Sequence, residues 1–234
     1  DHDLRILQVL QDTAVWASEK KTGETETRKK YPPSDLRDYY NFTSEAARRY
    51  RDEVHAWEMW NEFDIPVFFL GEADEYAAVL KAGSIGVRDG NPSAQILSGS
   101  VTLGSGLITW GDESYFDEEG IRYIEKVMEN GAGGYFDVFN VHHYGPVEGV
   151  TGKIRQCRAI MKKYDCQKPL WLTEMGVTAS EKLSRRVTTL EEEQASYLVK
   201  AYTLALSGGV DKFFFFSLPD FIEHGSSFWG VLEQ

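Results

Sequence analysis

Cysteine is scarce in this chain, and its scarcity excludes several kinds of small protein. Among 234 residues there are two cysteines, Cys157 and Cys166. Two are too few for a disulfide-stapled scaffold or for a zinc module with four cysteine ligands, and their spacing matches no metal-binding motif. They are either two free buried thiols or one disulfide, and a disulfide would need a sharp chain reversal after Tyr164.

Long hydrophobic runs and an excess of positive charge are also missing. The longest apolar runs, Ile65–Leu70 and Phe213–Phe216, are far shorter than the roughly 18 to 20 residues of a membrane helix. Lys and Arg number 25 against 37 Asp and Glu, which gives a formal charge of -12. Because this charge repels polyanions and the densest basic stretch, Arg28–Lys30, is short, we expect neither nucleic acid nor a membrane as a partner.

The chain has enough apolar residues for one sizeable core. Hydrophobic residues make up 42% of it and charged residues 26%, which is typical of a globular domain. No internal repeat or low-complexity segment is evident, so we predict one domain over residues 1–234. The sequence begins at Asp1 without an initiator methionine or a signal peptide, which suggests a processed or truncated chain. It therefore predicts no compartment, although a signal peptide in the parent protein would favour a secreted or periplasmic location.

Short apolar runs alternate along the chain with helical patterns. Each run has the length of a strand and is almost continuously hydrophobic, as expected for a parallel strand buried on both faces. The predicted strands are Leu4–Leu10, Val54–Trp60, Ala94–Val101, Phe136–Val141, Pro169–Thr173 and Lys212–Leu218. The predicted helices are Asp35–Asp52 with a Ser34 cap, Tyr76–Lys81, Ile121–Met128, Ile154–Tyr164 and Leu190–Ser207. This alternation predicts an α/β fold with a parallel sheet.

The length of the chain accommodates six such units. An eight-unit barrel typically needs about 250 residues, so either the sheet is open or two units are absent. In both cases Leu4–Leu10 and Lys212–Leu218 form hydrophobic edges, which promote aggregation when uncovered. We expect these edges to meet in a tightened ring, to be covered by a loop or helix, or to pair with another chain. Association is favoured, which predicts a homo-oligomer or an N-terminal segment that completes the barrel.

Two predicted strands end in a glutamate. Val54–Trp60 runs into Asn61 and Glu62, and Pro169–Thr173 runs into Glu174. The carboxyl ends of parallel strands form the site that barrel and open-sheet enzymes share. Two carboxyl groups at such ends match the needs of glycoside hydrolysis, in which one protonates the leaving oxygen and the other attacks the anomeric carbon or activates water.

At these motifs the chain resembles the clan of (β/α)8-barrel retaining glycoside hydrolases that carry the acid/base after strand 4 and the nucleophile after strand 7. The motifs are Trp57–Glu62, Val141–Tyr144 and Trp171–Gly176. The chain is most similar to the β-xylosidase and α-L-iduronidase family, whose strand 3 is likewise followed by Trp-Ala-Ser and Tyr-Pro-Pro, here Trp16–Ser18 and Tyr31–Pro33. The resemblance implies a TIM-barrel type fold of which only strands 3 to 8 are represented.

The resemblance also implies a role for individual residues. Glu62 corresponds to the general acid/base and Glu174 to the nucleophile, while Asn61 would bind the sugar 2-hydroxyl group. Glu62 must hold its proton near neutral pH, so we expect apolar neighbours such as Trp60 and the second carboxylate to raise its pKa. Tyr144 is the expected hydrogen-bond donor that keeps Glu174 ionised.

Further substrate-binding residues are His142, Trp16 and Phe216. Because neighbouring side chains on a strand point to opposite faces, only one of His142 and His143 should enter the site, and we select His142. Trp16 either floors a sugar subsite or packs at the top of the barrel. Phe216 stands where the resembled family usually has Trp or Tyr beneath the reactive sugar, so it keeps an apolar platform without a polar group.

Two further observations concern charged residues of the predicted site. Glu58 shares a strand face with Glu62, and a buried carboxylate at this position would need a partner. The arginine that the resembled family carries on strand 2 has no counterpart in this chain.

The predicted function is hydrolysis of O-glycosidic bonds of oligo- or polysaccharides with retention of configuration, without a metal or an organic cofactor. The alternative is a carbohydrate-binding or catalytically inactive truncated relative. Xylosyl, glucosyl, mannosyl and uronyl sugars are not distinguished by these residues. A phosphate-handling enzyme is disfavoured, because no glycine-rich loop with Lys and Ser or Thr follows any strand.

Overall fold

A curled sheet of six parallel strands, with helices between them, forms a half-barrel. The computed structural model describes residues 4–103, 118–177, 191–219, 222–223, 227–228 and 230. The strands are β1 (Ile6–Leu10), β2 (Val54–Met59), β3 (Gln95–Val101), β4 (Val138–Tyr144), β5 (Leu170–Gly176) and β6 (Lys212–Phe215). They lie in the sheet in chain order, and a short antiparallel pair follows, β7 (Ile222–Glu223) and β8 (Ser227–Phe228). This confirms the predicted α/β fold of TIM-barrel type with six of its strands.

Helices cover the outer face of this sheet. They are α2 (Leu36–Arg49), α3 (Ala73–Gly90), α4 (Glu118–Glu129), α5 (Val150–Lys163) and α6 (Glu191–Ser207), while the short helix α1 (Thr25–Arg28) lies between β1 and α2. Two short 3-10 turns, Ala132–Gly134 and Val147–Gly149, precede β4 and α5. The predicted Ser34 cap of α2 is wrong, because Asp35 Oδ1 accepts the backbone N–H of Arg37 at 2.9 Å while Ser34 Oγ donates to the Ala17 carbonyl at 3.0 Å. The predicted first residue of the last helix, Leu190, lies outside the described residues.

Helix α3 is much longer than the predicted Tyr76–Lys81, because its glycines serve close packing rather than a helix end. Side chains added at Gly86 or Gly90 would overlap atoms of Thr43 and Ser44 on α2. The two helices therefore approach more closely than larger residues would allow. Glycine in a helix interior usually costs about 1 kcal/mol, and here the contact between the helices offsets that cost.

The sheet separates a large core from a small one. The large core fills the space between sheet and helices, and the small core on the concave face consists of Ala56, Leu97, Val138 and Trp171. Because side chains alternate along a strand, the positions that follow this small core on the same face are free for polar residues. The small core thus forms an apolar floor below the carboxyl ends of the strands.

The two end strands are more exposed than the central four. β1 carries exposed Ile6 and half-buried Leu7, and the phenylalanines of β6 are only half-buried. β3 and β4, by contrast, are buried along almost their whole length.

Two smaller findings bear on the sequence predictions. Cys157 and Cys166 are both buried free thiols, which decides between the two alternatives for them. Among the described parts of the chain, no helix combines the length and apolar character that crossing a membrane would require.

Candidate active site

A sharp turn after β2 positions Asn61 and Glu62 at the carboxyl end of the sheet. Trp60 and Glu62 have φ angles of 79° and 42°, in the left-handed region that costs roughly 1 to 2 kcal/mol for residues other than glycine. Hydrogen bonds to both neighbouring strands hold this turn. The backbone N–H of Trp60 donates to the Leu10 carbonyl at 2.9 Å, and that of Glu62 donates to Ser100 Oγ at 2.8 Å.

Tyr76 of α3 supports this turn from the outer layer. Its hydroxyl oxygen lies 2.5 Å from the carbonyl oxygens of both Met59 and Ser98, at the point where the pairing of β2 and β3 has ended. Its ring stacks on Phe63, which directly follows Glu62, with centroids 3.7 Å apart and planes 9° from parallel. Tyr76 therefore fills the gap where β2 and β3 separate.

Glu174 lies near the end of β5 and faces β4. In the parallel pairing, Glu174 is opposite His142, and Gly176 is opposite Tyr144. The Tyr144 hydroxyl donates to Glu174 Oε2 at 2.6 Å. A side chain on Gly176 would overlap the carbonyl oxygen of Phe216, and the Phe216 ring meets Tyr144 edge to face at 6.1 Å. The end of β5 is thus shaped by close contacts on both sides.

The His142 ring lies between the two glutamates and is 1% exposed. Its Nδ1 is 3.0 Å from Glu62 Oε1 and 3.5 Å from Glu174 Oε2, and its Nε2 is 3.0 Å from Thr173 Oγ1. Burial lowers the pKa of His142, but the charge of Glu174, the hydrogen bond to Glu62 and the other nearby carboxylates outweigh burial and raise it above 6.5. The site therefore favours a positive charge between its carboxyl groups.

One oxygen of Glu62, one of Glu174 and a ring nitrogen of His142 all lie within 4.8 Å of one another. Atoms this close could share a divalent cation. However, the 3.0 Å separation between His142 and Glu62 is an ordinary hydrogen-bond length and needs no ion. We therefore describe the three side chains as a hydrogen-bonded cluster.

Glu58 is a third carboxyl group below this cluster. It is 1% exposed, and burial raises its pKa. The His142 ring, whose Nε2 lies 4.0 Å from Glu58 Oε1, and the side chains of Ser100 and Asn140 oppose this rise.

Sequence reasoning missed three polar residues, Ser100, Asn140 and Thr173, whose hydrogen bonds link neighbouring parts of the site. Ser100 Oγ donates to Asn61 Oδ1 at 3.3 Å, and Asn140 Nδ2 donates to Thr173 Oγ1 at 3.1 Å. Asn61 itself is buried, as the bond to Ser100 requires. The signal that could have revealed them is that each is a buried polar residue on a predicted strand.

Of the other residues considered from the sequence, one lies in the site and two lie outside it. His142 enters the site, whereas His143 points away and its Nε2 lies 2.9 Å from the Pro146 carbonyl oxygen. Burial lowers the pKa of His143 to about 3. Trp16 lies in the loop after β1 and is 74% exposed. Within the described residues, no hydrogen bond or ring contact joins Trp16 to the two glutamates.

The fold is a half-barrel of the kind found in TIM-barrel glycosidases. A glucosidase from Croceicoccus marinus superposes with a TM-score of 0.60 at 20% identity, over 80% of this chain and 39% of that one. The GH53 catalytic domain of Ignisphaera aggregans gives 0.60 at 16% identity, over 90% and 62%. A β-glucuronidase of Ruminococcus gnavus gives 0.56 at 17% identity, over 85% and 32%. The chain thus spans about a third to three fifths of the length of these structures.

Residues 91–228 match the family described as glycosyl hydrolase catalytic core. Because the match covers more than half of the chain, the chain belongs to this family. No curated protein sequence matches it.

Proposed function

We propose that the chain carries the catalytic site of a retaining glycoside hydrolase, with Glu62 as general acid/base and Glu174 as nucleophile. The observation that carries this proposal is that one oxygen of each carboxyl group lies within 4.8 Å of the other. Retaining enzymes hold their two carboxyl groups about 5 to 5.5 Å apart, and inverting enzymes about 6.5 to 9.5 Å apart. A separation below the inverting range supports direct attack by Glu174.

The two glutamates have different surroundings, as their two roles require. Glu174 receives the Tyr144 hydroxyl at 2.6 Å, and this donor stabilises a carboxylate. Glu62 is 7% exposed, and its Oε1 lies 3.0 Å from His142 Nδ1, so its other oxygen remains for proton transfer to a leaving oxygen. The surroundings therefore support the nucleophile at Glu174 and the acid at Glu62.

The proposed reaction has two steps. Glu174 attacks the anomeric carbon while Glu62 transfers its proton to the departing glycosidic oxygen, which leaves a covalent glycosyl ester. Glu62, now a carboxylate, then takes a proton from water as that water attacks the same carbon and releases Glu174. In both steps the reacting carboxyl groups are those of the cluster at the carboxyl end of the sheet.

Three further residues are proposed to bind the sugar. The bond from Ser100 to Asn61 Oδ1 fixes the amide so that its NH2 group can donate to the 2-hydroxyl group. Phe216, packed against Tyr144, offers an apolar surface for the ring of the reactive sugar. The exposed Trp16 ring could stack on a more distant sugar unit.

The substrate class follows from the sequence motifs. We propose an oligo- or polysaccharide, and the Trp16–Ser18 and Tyr31–Pro33 motifs favour the β-xylosidase and α-L-iduronidase family. The structural neighbours named above include a glucosidase and a β-glucuronidase. A substrate panel should therefore cover xylosyl, glucosyl, mannosyl, glucuronyl and iduronyl aryl glycosides.

The test is turnover of this panel by the chain and by Glu62→Gln and Glu174→Gln. Both variants should lose turnover, while Glu53→Gln, an exposed glutamate just before β2, should keep it. Proton NMR of the first product formed should show the anomer of the substrate. An inverted product would refute the retaining mechanism, and full activity in either variant would refute the assignment.

A second candidate function is carbohydrate binding without turnover. The observation that favours it is the open half-barrel, in which β1 and β6 do not pair with each other in the part of the chain that the structure describes. Titration of tryptophan fluorescence with the sugars of the panel separates the two functions. Binding without turnover in the unmodified chain would support this second function.

We also propose that a second copy of the chain covers the exposed end strands. Ile6 of β1 is 44% exposed and Leu218 after β6 is 63% exposed, so both ends present apolar surface. Light scattering should give a mass at least twice 26.6 kDa. A monodisperse monomer in which the amides of β1 and β6 exchange rapidly would refute this proposal.

A further inference from the structure

Glu58 has an unusual position for a carboxyl group that takes no part in the proposed reaction. It lies on β2, four residues before Glu62, and is 1% exposed. Its Oε1 accepts no hydrogen bond from any described residue. The His142 ring lies beside it, at 4.0 Å from Nε2 to Oε1.

His142 has negative charge on both sides of its ring. Glu58 faces Nε2, while Glu62 and Glu174 face Nδ1. One cationic side chain, Lys153 of α5, is close, but it donates to the backbone carbonyl of His142 at 3.2 Å rather than facing the ring. The titratable and charged groups around His142 are Glu58, Glu62, Glu174, Tyr144 and Lys153.

Both ring nitrogens of His142 have an acceptor for a proton. Nδ1 can donate to Glu62 Oε1 at 3.0 Å, and Nε2 can donate to Thr173 Oγ1 at 3.0 Å. Thr173 Oγ1 already accepts from Asn140 Nδ2 at 3.1 Å, and a hydroxyl oxygen can accept two hydrogen bonds. Each N–H group of a doubly protonated His142 ring would therefore have a hydrogen-bond acceptor.

We propose that Glu58 is a positioning residue, which as a buried carboxylate holds His142 in the doubly protonated form between Glu62 and Glu174. The charge of Glu58 acts across 4.0 Å in a site that excludes water, where opposite charges interact strongly. His142 in turn opposes the rise that burial causes in the pKa of Glu58. The two groups therefore stabilise each other's charged form.

The consequence for the reaction rests on the proposed function. The Nδ1 proton of His142 holds one oxygen of Glu62 as an acceptor, so the acidic proton of Glu62 stays on the other oxygen, toward the substrate. The same positive charge lies 3.5 Å from Glu174 and stabilises it when the glycosyl ester breaks. His142 itself neither gains nor loses a proton in either step.

The test is an NMR titration of the chain with nitrogen-15 in its five histidines, with the His142 signals assigned from the His142→Gln spectrum. In the unmodified chain both ring nitrogens of His142 should be protonated at pH 7. In Glu58→Gln the pKa of His142 should fall by about 1 to 3 pH units, the usual effect of a close opposite charge. Glu53→Gln removes the same charge at an exposed position and should leave His142 unchanged.

Two results would overturn the proposal: a neutral His142 ring at pH 7 in the unmodified chain, or an unchanged His142 titration in Glu58→Gln. The first measurement needs no variant, so it decides even if Glu58→Gln fails to fold. Neither measurement needs turnover, so failure of the proposed function would be seen separately. If the chain is active, the basic limb of kcat/KM in Glu58→Gln should move to lower pH, because His142 then loses its proton earlier.

Discussion

Removal of the Tyr144 hydroxyl tests the proposed nucleophile most directly. Tyr144→Phe deletes the donor that lies 2.6 Å from Glu174 Oε2 and keeps the ring that packs against Phe216. A hydrogen bond to a charged group contributes about 1.5 to 3 kcal/mol. Glu174 regains its full negative charge when the glycosyl ester is hydrolysed, so the loss should fall mainly on this second step.

The expected decrease in kcat for Tyr144→Phe is therefore roughly 10- to 150-fold, since each 1.36 kcal/mol changes a rate tenfold. With an aryl glycoside that has a good leaving group, the ester should accumulate, so a burst of phenol should precede steady turnover and KM should fall with kcat. The matched control is Tyr123→Phe, which deletes a hydroxyl that donates to the Gly71 carbonyl at 2.8 Å. A kcat of Tyr144→Phe within about threefold of that of the unmodified chain would refute the role given to Tyr144. An equal loss in Tyr123→Phe would show that the decrease has a structural cause.

Three further predictions concern stability and packing. Burial lowers the pKa of Lys153 from 10.5 to about 8, so this residue binds its proton more strongly in the unfolded chain and should contribute a rise of about 3 kcal/mol to the free energy of unfolding across that window. Lys153→Met should abolish this rise in guanidinium unfolding, and an unchanged pH dependence would contradict it. Ser100→Ala leaves the buried N–H of Glu62 without its acceptor and should cost about 1 to 3 kcal/mol in the same assay; a loss below about 0.5 kcal/mol would show that the bond is unimportant. Gly176→Ala forces the Phe216 carbonyl away, so it should lower both the melting temperature and turnover, and unchanged thermal unfolding would contradict the close contact.

The strands could be predicted because parallel strands with both faces buried leave an almost continuous apolar run in the sequence. The nearness of Glu62 and Glu174 followed from the same reasoning, since the carboxyl ends of parallel strands meet at one edge of the sheet. The selection of His142 over His143 as the residue that enters the site followed from the alternation of side chains along a strand.

Other features depend on contacts that no local pattern records. The length of α3 could not be predicted, because Gly86 and Gly90 look like helix-breaking residues until the surface of α2 is known. The roles of Ser100 and Asn140 depend on partners about 40 residues away in the chain. Whether the sheet closes is likewise a property of its two end strands together, and neither strand reveals it alone.

The contact of Tyr76 with the ends of β2 and β3 has a consequence for how this site could change. Tyr76 belongs to the helical layer, yet its hydroxyl lies against carbonyls of β2, which leads into Asn61 and Glu62, and of β3, which carries Ser100. A substitution at Tyr76, or on the α2 surface that supports α3, would shift Glu62, the proposed general acid, by fractions of an ångström without touching a sugar. Selection for altered substrate preference could therefore act through residues of the outer helices, and laboratory libraries confined to the cleft would miss them.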